Sequence, residues 1–156
     1  MLDPEASNYF AYVDPIRDDF IMKYSFINLF IFLVIDGIWL KFIVGGFFTR
    51  QLAPIALLNE EGAMRPRLLP ALVVYVLMAL ALEVFVLRQF QGYNERELIF
   101  KAAFLGLVVY GIFDFTNRAI LAHYPWPMVI LDVTWGTFVF GLTAYLSLQT
   151  RRWLSL

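Results

Sequence analysis

The sequence predicts an all-α integral membrane protein, an antiparallel bundle of four transmembrane helices. Four apolar runs of about twenty residues or more are each long enough to cross the hydrocarbon core of a bilayer. The chain of 156 residues is 61% hydrophobic and 16% charged, whereas a soluble domain is about 45–50% apolar and about 25% charged. The connections between the runs are short, which favours neighbouring helices that run antiparallel.

Composition excludes several classes of function. The net charge of −1 argues against a nucleic-acid partner, which would need a basic surface. The chain has no cysteine and a single histidine, His123, so disulfides, thiolate metal sites and multi-histidine sites are excluded. We therefore predict no metal site and no cofactor held by the chain's own residues. The apolar helix faces leave room for a bound lipid or pigment.

Residues 1–23 are predicted to form an extramembrane or interfacial arm. Charged residues are interspersed there with aromatic ones, without the basic start and apolar core of a signal peptide. Aromatic side chains are common at the level of the lipid headgroups. An arm that docks on a partner subunit is the alternative.

The membrane domain is predicted to cover residues 24–150, and residues 151–156 are predicted to form a short C-terminal tail. Its helices are expected at about residues 24–48, 68–87, 98–121 and 128–148.

The connections have their own signals. Gly45-Gly46 is predicted to end the first helix. Apolar residues at helical spacing from Leu52 to Leu58 predict a short helix on the membrane surface. Tyr124-Pro125-Trp126-Pro127 predicts a tight turn between the last two helices.

Lysine and arginine number seven on the side of the termini and five on the other, which favours cytoplasmic termini.

Three aspartates lie inside the apolar runs, where an ionisable group is costly and marks a candidate functional site. Counting residues along each helix places Asp36, Asp114 and Asp132 in the same half of the bilayer, from about 1–2 Å to about 9 Å from its centre. The same count places Glu83 in the opposite half. Each aspartate is followed three residues later, on its own helical face, by an indole or amide side chain. The predicted polar pocket is Asp36, Trp39, Asp114, Asn117, Asp132 and Trp135.

The pocket has a functional and a structural interpretation. Two aspartates within hydrogen-bonding range cannot both ionise cheaply, so the cluster could serve as a proton relay, a cation site or an acid–base pair. Alternatively, the polar groups join helices and fix the bundle. In that case Asp114 could pair with Arg118 one turn later, and Lys41 could reach Asp36 or extend to the membrane interface.

Three motifs resemble one family. Asp36 to Leu40 reads Asp-x-x-Trp-Leu, Tyr110 to Asn117 reads Tyr-Gly-x-Phe-Asp-Phe-Thr-Asn, and Asp132 to Gly136 reads Asp-x-x-Trp-Gly. Together they resemble DUF 2177, a mostly bacterial family of predicted membrane proteins of unknown function. The resemblance covers about Phe26 to Leu148 and implies the four-helix fold and a multi-pass location in the bacterial inner membrane. It carries no established activity.

Three hypotheses of function follow. The first is an accessory or structural subunit of a larger membrane complex, whose partners are the lipid bilayer and other membrane subunits or a second copy of the chain. The second is a lipid-modifying or lipid-handling enzyme with Asp36, Asp114 and Asp132 as acid–base groups. The third is a small proton- or cation-coupled transporter. We favour the first, in which the chain has no catalytic activity.

Overall fold

The computed structural model describes residues 16–88 and 94–154, and these are mostly helical. Helix α1 covers Ile16–Ile38 and continues through a π-helical segment, Trp39–Val44, into α2, Gly45–Leu52. Helices α3, α4 and α5 cover Leu68–Phe85, Glu95–Ile120 and Trp126–Trp153. Within the described residues, four helical stretches are long and apolar enough to cross a membrane: Ile21–Leu52, Leu68–Phe85, Glu95–Ile120 and Trp126–Trp153. The predicted all-α, four-helix membrane fold is confirmed.

The first membrane helix is longer than its apolar run. It begins at Ile16, within the predicted arm, and Gly45-Gly46 lies inside it rather than at its end. A Cβ atom on Gly45 would collide with the carbonyl oxygen of Leu40, so the wide π turn requires glycine there. Residues 1–15 of the predicted arm lie outside the described residues.

The last two helices also start and end beyond the predicted limits. Helix α4 begins at Glu95 because Asn94 caps it, its side chain accepting a hydrogen bond from the backbone N–H of Arg96 at 3.1 Å. Helix α5 continues to Trp153, so Arg151 and Arg152 form its last turn instead of a tail. Basic residues are favourable at that negative end of a helix.

The predicted surface helix between Leu52 and Leu58 is wrong. Helix α2 ends at Leu52, and the connector 53–67 consists mostly of turns. Asn59 Oδ1 accepts hydrogen bonds from the backbone N–H groups of Glu61 and Ala63, at 3.1 and 2.8 Å. Gly62 has a φ of 76°, which favours glycine. Local side-chain to backbone bonding therefore outweighs the apolar periodicity here.

The helices pack as antiparallel neighbours. Helix α1 lies against α3 and α5, and α5 has its most extensive contact with α4. We call the side where α1 begins and α5 ends the terminal side, and the side with α2 and the turn 121–125 the loop side. The main core is formed by buried apolar residues of α1, α3, α4 and α5. A second core, around Val44, Phe48 and Tyr124, joins the first membrane helix to the turn 121–125 on the loop side.

Candidate functional site: a network of buried carboxyl groups

The carboxyl group of Asp36 joins three helices. Asp36 lies near the end of α1 and is 6% exposed. Its Oδ1 accepts a hydrogen bond from Nε1 of Trp135 in α5, and its Oδ2 accepts one from the hydroxyl of Tyr75 in α3, both at 2.6 Å. A buried carboxyl group needs such partners because it has lost its hydration. Both oxygens are thus occupied by donors from other helices.

The indole of Trp135 is held from two directions. Its ring stacks on that of Trp39, with centroids 4.0 Å apart and an angle of 4° between the planes. Its N–H points to Asp36. Trp39 is the first residue of the π-helical segment, so the segment begins where the aspartate network meets α5.

A second carboxyl group, that of Asp114, is completely buried in α4. Its Oδ1 accepts a hydrogen bond from the hydroxyl of Tyr124 at 2.6 Å. The carboxyl group of Asp132 lies close to that of Asp114, whose Oδ2 is buried and receives no hydrogen bond from a donor side chain. Two carboxyl groups share a hydrogen bond only when one of them carries a proton. The Asp114–Asp132 pair can therefore hold one proton.

Tyr124 belongs to the turn between α4 and α5 and closes this pair from the loop side. It is 4% exposed, and the side chain of Asn117 also reaches its hydroxyl. Burial, and then the hydrogen bond to Asp114, raise the pKa of Tyr124 above its ordinary value of 10.0. Its hydroxyl therefore remains a hydrogen-bond donor at neutral pH.

Glycine brings α4 and α5 close together beside the network. A Cβ atom on Gly136 would collide with the ring of Tyr110, and one on Gly106 would collide with the carbonyl oxygen of Gly136. Tyr110 interacts electrostatically with both Asp36 and Asp132. The absence of a side chain at Gly136 thus lets the ring of Tyr110 pack directly against α5.

Residues 20–149 match the family described as predicted membrane protein, DUF2177. The chain belongs to this family. The resemblance predicted from the three aspartate motifs is confirmed. The comparisons with curated proteins and with solved structures gave no match.

In this DUF2177 protein, the six residues of the predicted pocket lie in two adjoining groups. One group contains Asp36, Trp39 and Trp135, and the other contains Asp114, Asn117 and Asp132. Asp36 is close enough to Asp132 for an electrostatic interaction. Within the described residues, no three histidine or acidic side chains group as a metal ion would require.

Within the described residues, Arg118 does not pair with Asp114, and Lys41 does not pair with Asp36. The guanidinium group of Arg118 lies 5.4 Å from the ring centre of Trp126, while Asp114 takes its hydrogen bond from Tyr124. Lys41 is exposed, with its ammonium group 5.3 Å from the ring centre of Phe42. Asp36 is therefore compensated by neutral donors.

Three tyrosines of the network were missed by sequence reasoning. Tyr110 lies four residues before Asp114 on the same helical face, a signal that could have been used. Tyr75 and Tyr124 carry no such signal, because their partners are on other elements.

A second polar cluster of the DUF2177 chain lies toward the terminal side. Oε2 of Glu83 accepts a hydrogen bond from Nδ2 of Asn28 at 3.0 Å and pairs with Nη2 of Arg151. Glu83 and Arg151 are 0% and 2% exposed. The guanidinium group of Arg151 lies 4.0 Å from the ring centre of Tyr24. An arginine predicted to lie in a tail is thus part of a buried ion pair.

An apolar layer separates the two polar clusters. Asn28, Phe32 and Asp36 are spaced by four residues and so share one face of α1. Phe32 and Phe140 are completely buried, with ring centres 4.9 Å apart in an edge-to-face arrangement. These two rings therefore lie between Asn28 of one cluster and Asp36 of the other.

Proposed function

We propose that this DUF2177 protein is an accessory subunit of a larger membrane assembly, in which the aspartate network fixes the four-helix bundle. The proposal rests chiefly on Asp36, both of whose oxygens accept hydrogen bonds from other helices, from Tyr75 and Trp135. Through these two hydrogen bonds the Asp36 carboxyl group joins α1 to α3 and to α5, and polar contacts of this kind stabilise helix packing in a membrane.

The buried ion pair supports the same role. Glu83 of α3 and Arg151 of α5 connect helices at the terminal side, as Asp36 does nearer the loop side. Van der Waals packing alone distinguishes poorly between a neighbouring helix and lipid, so polar contacts at two depths define the arrangement of helices. Large apolar side chains, such as Phe30 and Phe100, remain exposed and suit lipid or another membrane subunit.

A transporter fits these contacts less well. A proton or cation path across the bilayer would have to connect the two polar clusters, and the buried Phe32–Phe140 layer lies between them.

The Asp114–Asp132 pair favours a second candidate, a lipid-handling enzyme. Asp132 is only partly buried, and one proton shared with Asp114 could be given to or taken from a bound lipid. Asp132→Asn separates the candidates, because an amide keeps a donor for Asp114 but removes the proton transfer. Unchanged lipid profiles in cells carrying folded Asp132→Asn protein support the structural role, and altered profiles support the enzyme.

The accessory role itself is tested in the native membrane. We expect mild solubilisation and chemical cross-linking of the full chain to recover it in a complex larger than one copy. Recovery of the protein always alone, across detergents and cross-linkers, would overturn the proposal.

We further propose a multi-pass location in the bacterial inner membrane with both termini on the cytoplasmic side. The support is the count of lysine and arginine, seven on the side of the termini and five on the other. Reporter fusions at each terminus and in the connector 53–67 measure the orientation. Cytoplasmic signal from the connector would contradict it.

A further inference from the structure

A cleft of about 340 Å³ opens on the loop side, beside the aspartate network. Gln51 from the end of α2 lines one wall, and Arg118 of α4 lines another. His123 and Tyr124 of the turn and Trp126 of α5 complete the cleft. Its lining includes an arginine and a histidine but no acidic residue, so the cleft favours an anion.

Arg118 has unused capacity for hydrogen bonding. Its guanidinium group lies over Trp126, and its Nε is buried without a hydrogen-bond partner. Within residues 16–88 and 94–154, no acidic side chain pairs with it. The guanidinium group of Arg118 lines the cleft and therefore has donors left for an acceptor there. The planar guanidinium group is well suited to the oxygens of a phosphate.

The start of α5 reinforces the positive potential. The helix begins at Trp126 and has 28 residues. Pro127 has no N–H, and the backbone N–H groups of Met128 and Val129 donate to the carbonyl oxygen of Pro125. The helix therefore contributes mainly its dipole. The N-terminus of a long helix carries a partial positive charge that favours phosphate groups. The imidazole of His123 and the amide of Gln51 supply further hydrogen-bonding groups on the cleft walls.

The position of the cleft agrees with a ligand at the membrane surface. It lies where the spans Glu95–Ile120 and Trp126–Trp153 meet, at the ends of two membrane helices. Phosphates of lipid headgroups lie at that level, and phosphate compounds of the aqueous phase also reach it. The two sources present the same group to Arg118.

We propose that this cleft is a binding site for a phosphate group, held by Arg118 against the N-terminus of α5. Tyr124 lines the cleft and donates its hydrogen bond to Asp114. The side chain of Tyr124 would therefore separate a bound phosphate from the buried pair of carboxyl groups. The site is independent of the proposed accessory role, since it requires only the fold.

The test uses the full chain in nanodiscs of a phosphate-free galactolipid. Tryptophan fluorescence is followed during titration with inorganic phosphate and, separately, with a short-chain phosphatidic acid. We expect a saturable change with at least one ligand. Arg118→Gln should weaken that binding by about tenfold or more, the loss typical of a charge-assisted hydrogen bond. Arg65→Gln, an exposed arginine of the connector, is the matched control and should bind as the wild type does.

The outcomes separate the two sources. Saturation by inorganic phosphate indicates a soluble phosphate compound, and saturation by phosphatidic acid alone indicates a lipid headgroup. Absence of saturable binding by the wild type would overturn the proposal, whether or not Arg118→Gln folds. Equal binding by folded Arg118→Gln and wild type would overturn it too.

Discussion

The two polar clusters of this bundle compensate a buried carboxyl group in different ways. On the terminal side, Glu83 is paired with the cation of Arg151 and with Asn28. On the loop side, Asp36 is bound by a phenol and an indole, and Asp114 adjoins Asp132. One cluster therefore balances charge with charge, and the other uses neutral hydrogen-bond donors.

This difference predicts in which cluster a single substitution destabilises the fold more. An ion pair deep in the bundle leaves an uncompensated charge when one partner is removed. A carboxyl group with neutral donors leaves only unpaired polar groups, which cost less. The loop-side cluster is therefore better suited to gaining or losing a proton without unfolding.

The largest effect is expected for the ion pair. Arg151→Met should destabilise the bundle by about 3–5 kcal/mol, because Glu83 would be left buried without its cation. Unfolding of the purified protein in mixed micelles, followed by tryptophan fluorescence, measures the loss. The double variant Glu83→Gln with Arg151→Met should recover part of it, and simple additivity of the two substitutions would contradict this.

Removal of the Asp36 carboxyl group should have the next largest effect. Asp36→Ala leaves the Tyr75 hydroxyl and the Trp135 N–H without their acceptor, at a cost of about 2–4 kcal/mol. The same unfolding experiment measures it, with the exposed Ile38→Ala as control. If Asp36→Ala is no less stable than Ile38→Ala, these hydrogen bonds do not fix the helices.

A substitution at the close approach of α4 and α5 should cost somewhat less. Gly136→Ala forces its new methyl group against the ring of Tyr110, and overpacking of this kind costs about 1–3 kcal/mol. Gly111→Ala, in α4, meets open space and serves as control. Thermal stability in detergent distinguishes the two, and equal midpoints would show that the helices separate without cost.

The smallest effect is expected for Tyr124→Phe, which removes the hydrogen bond to Asp114 and should cost about 1–2 kcal/mol. Because the pKa of Tyr124 is raised, its contribution is fully present below pH 10 and is lost only as the pH rises through the raised pKa. Stability of the wild type and variant should thus differ at neutral pH and converge in strong base. Tyr145→Phe, at an exposed tyrosine, should behave as the wild type.

Much of the fold could be predicted from sequence. A helix that crosses the hydrocarbon core of a bilayer needs about twenty mostly apolar residues, and the chain contains four such runs. The i, i+3 spacing also predicted that each aspartate shares a helical face with an indole or amide. What could not be predicted were partners on other helices, such as Tyr75 for Asp36 and Arg151 for Glu83. Such pairs depend on how helices pack, and the apolar runs do not encode it.

Contacts between residues close in sequence were also hard to predict where one side chain has two possible partners. The sequence allowed Arg118 to pair with Asp114 one turn away, but its guanidinium group lies over the ring of Trp126. Tyr124 reaches the buried side of Asp114 from the turn. Gly45-Gly46 reads as a helix end in sequence, yet in the structure it permits a wide turn within a continuous helix.

The π-helical segment Trp39–Val44 has a consequence for the length of the chain. Each π turn closes over one residue more than an α turn does. Deletion of one residue from this segment would restore ordinary α-helical hydrogen bonding. Helix α2 would then keep its contacts with the turn 121–125. The same loss anywhere in Asn28–Asp36 would rotate all following side chains by about 100° and break the shared face of Asn28, Phe32 and Asp36. The first membrane helix thus tolerates the loss of one residue in Trp39–Val44, directly after the segment Asn28–Asp36, where such a loss would disrupt the packing.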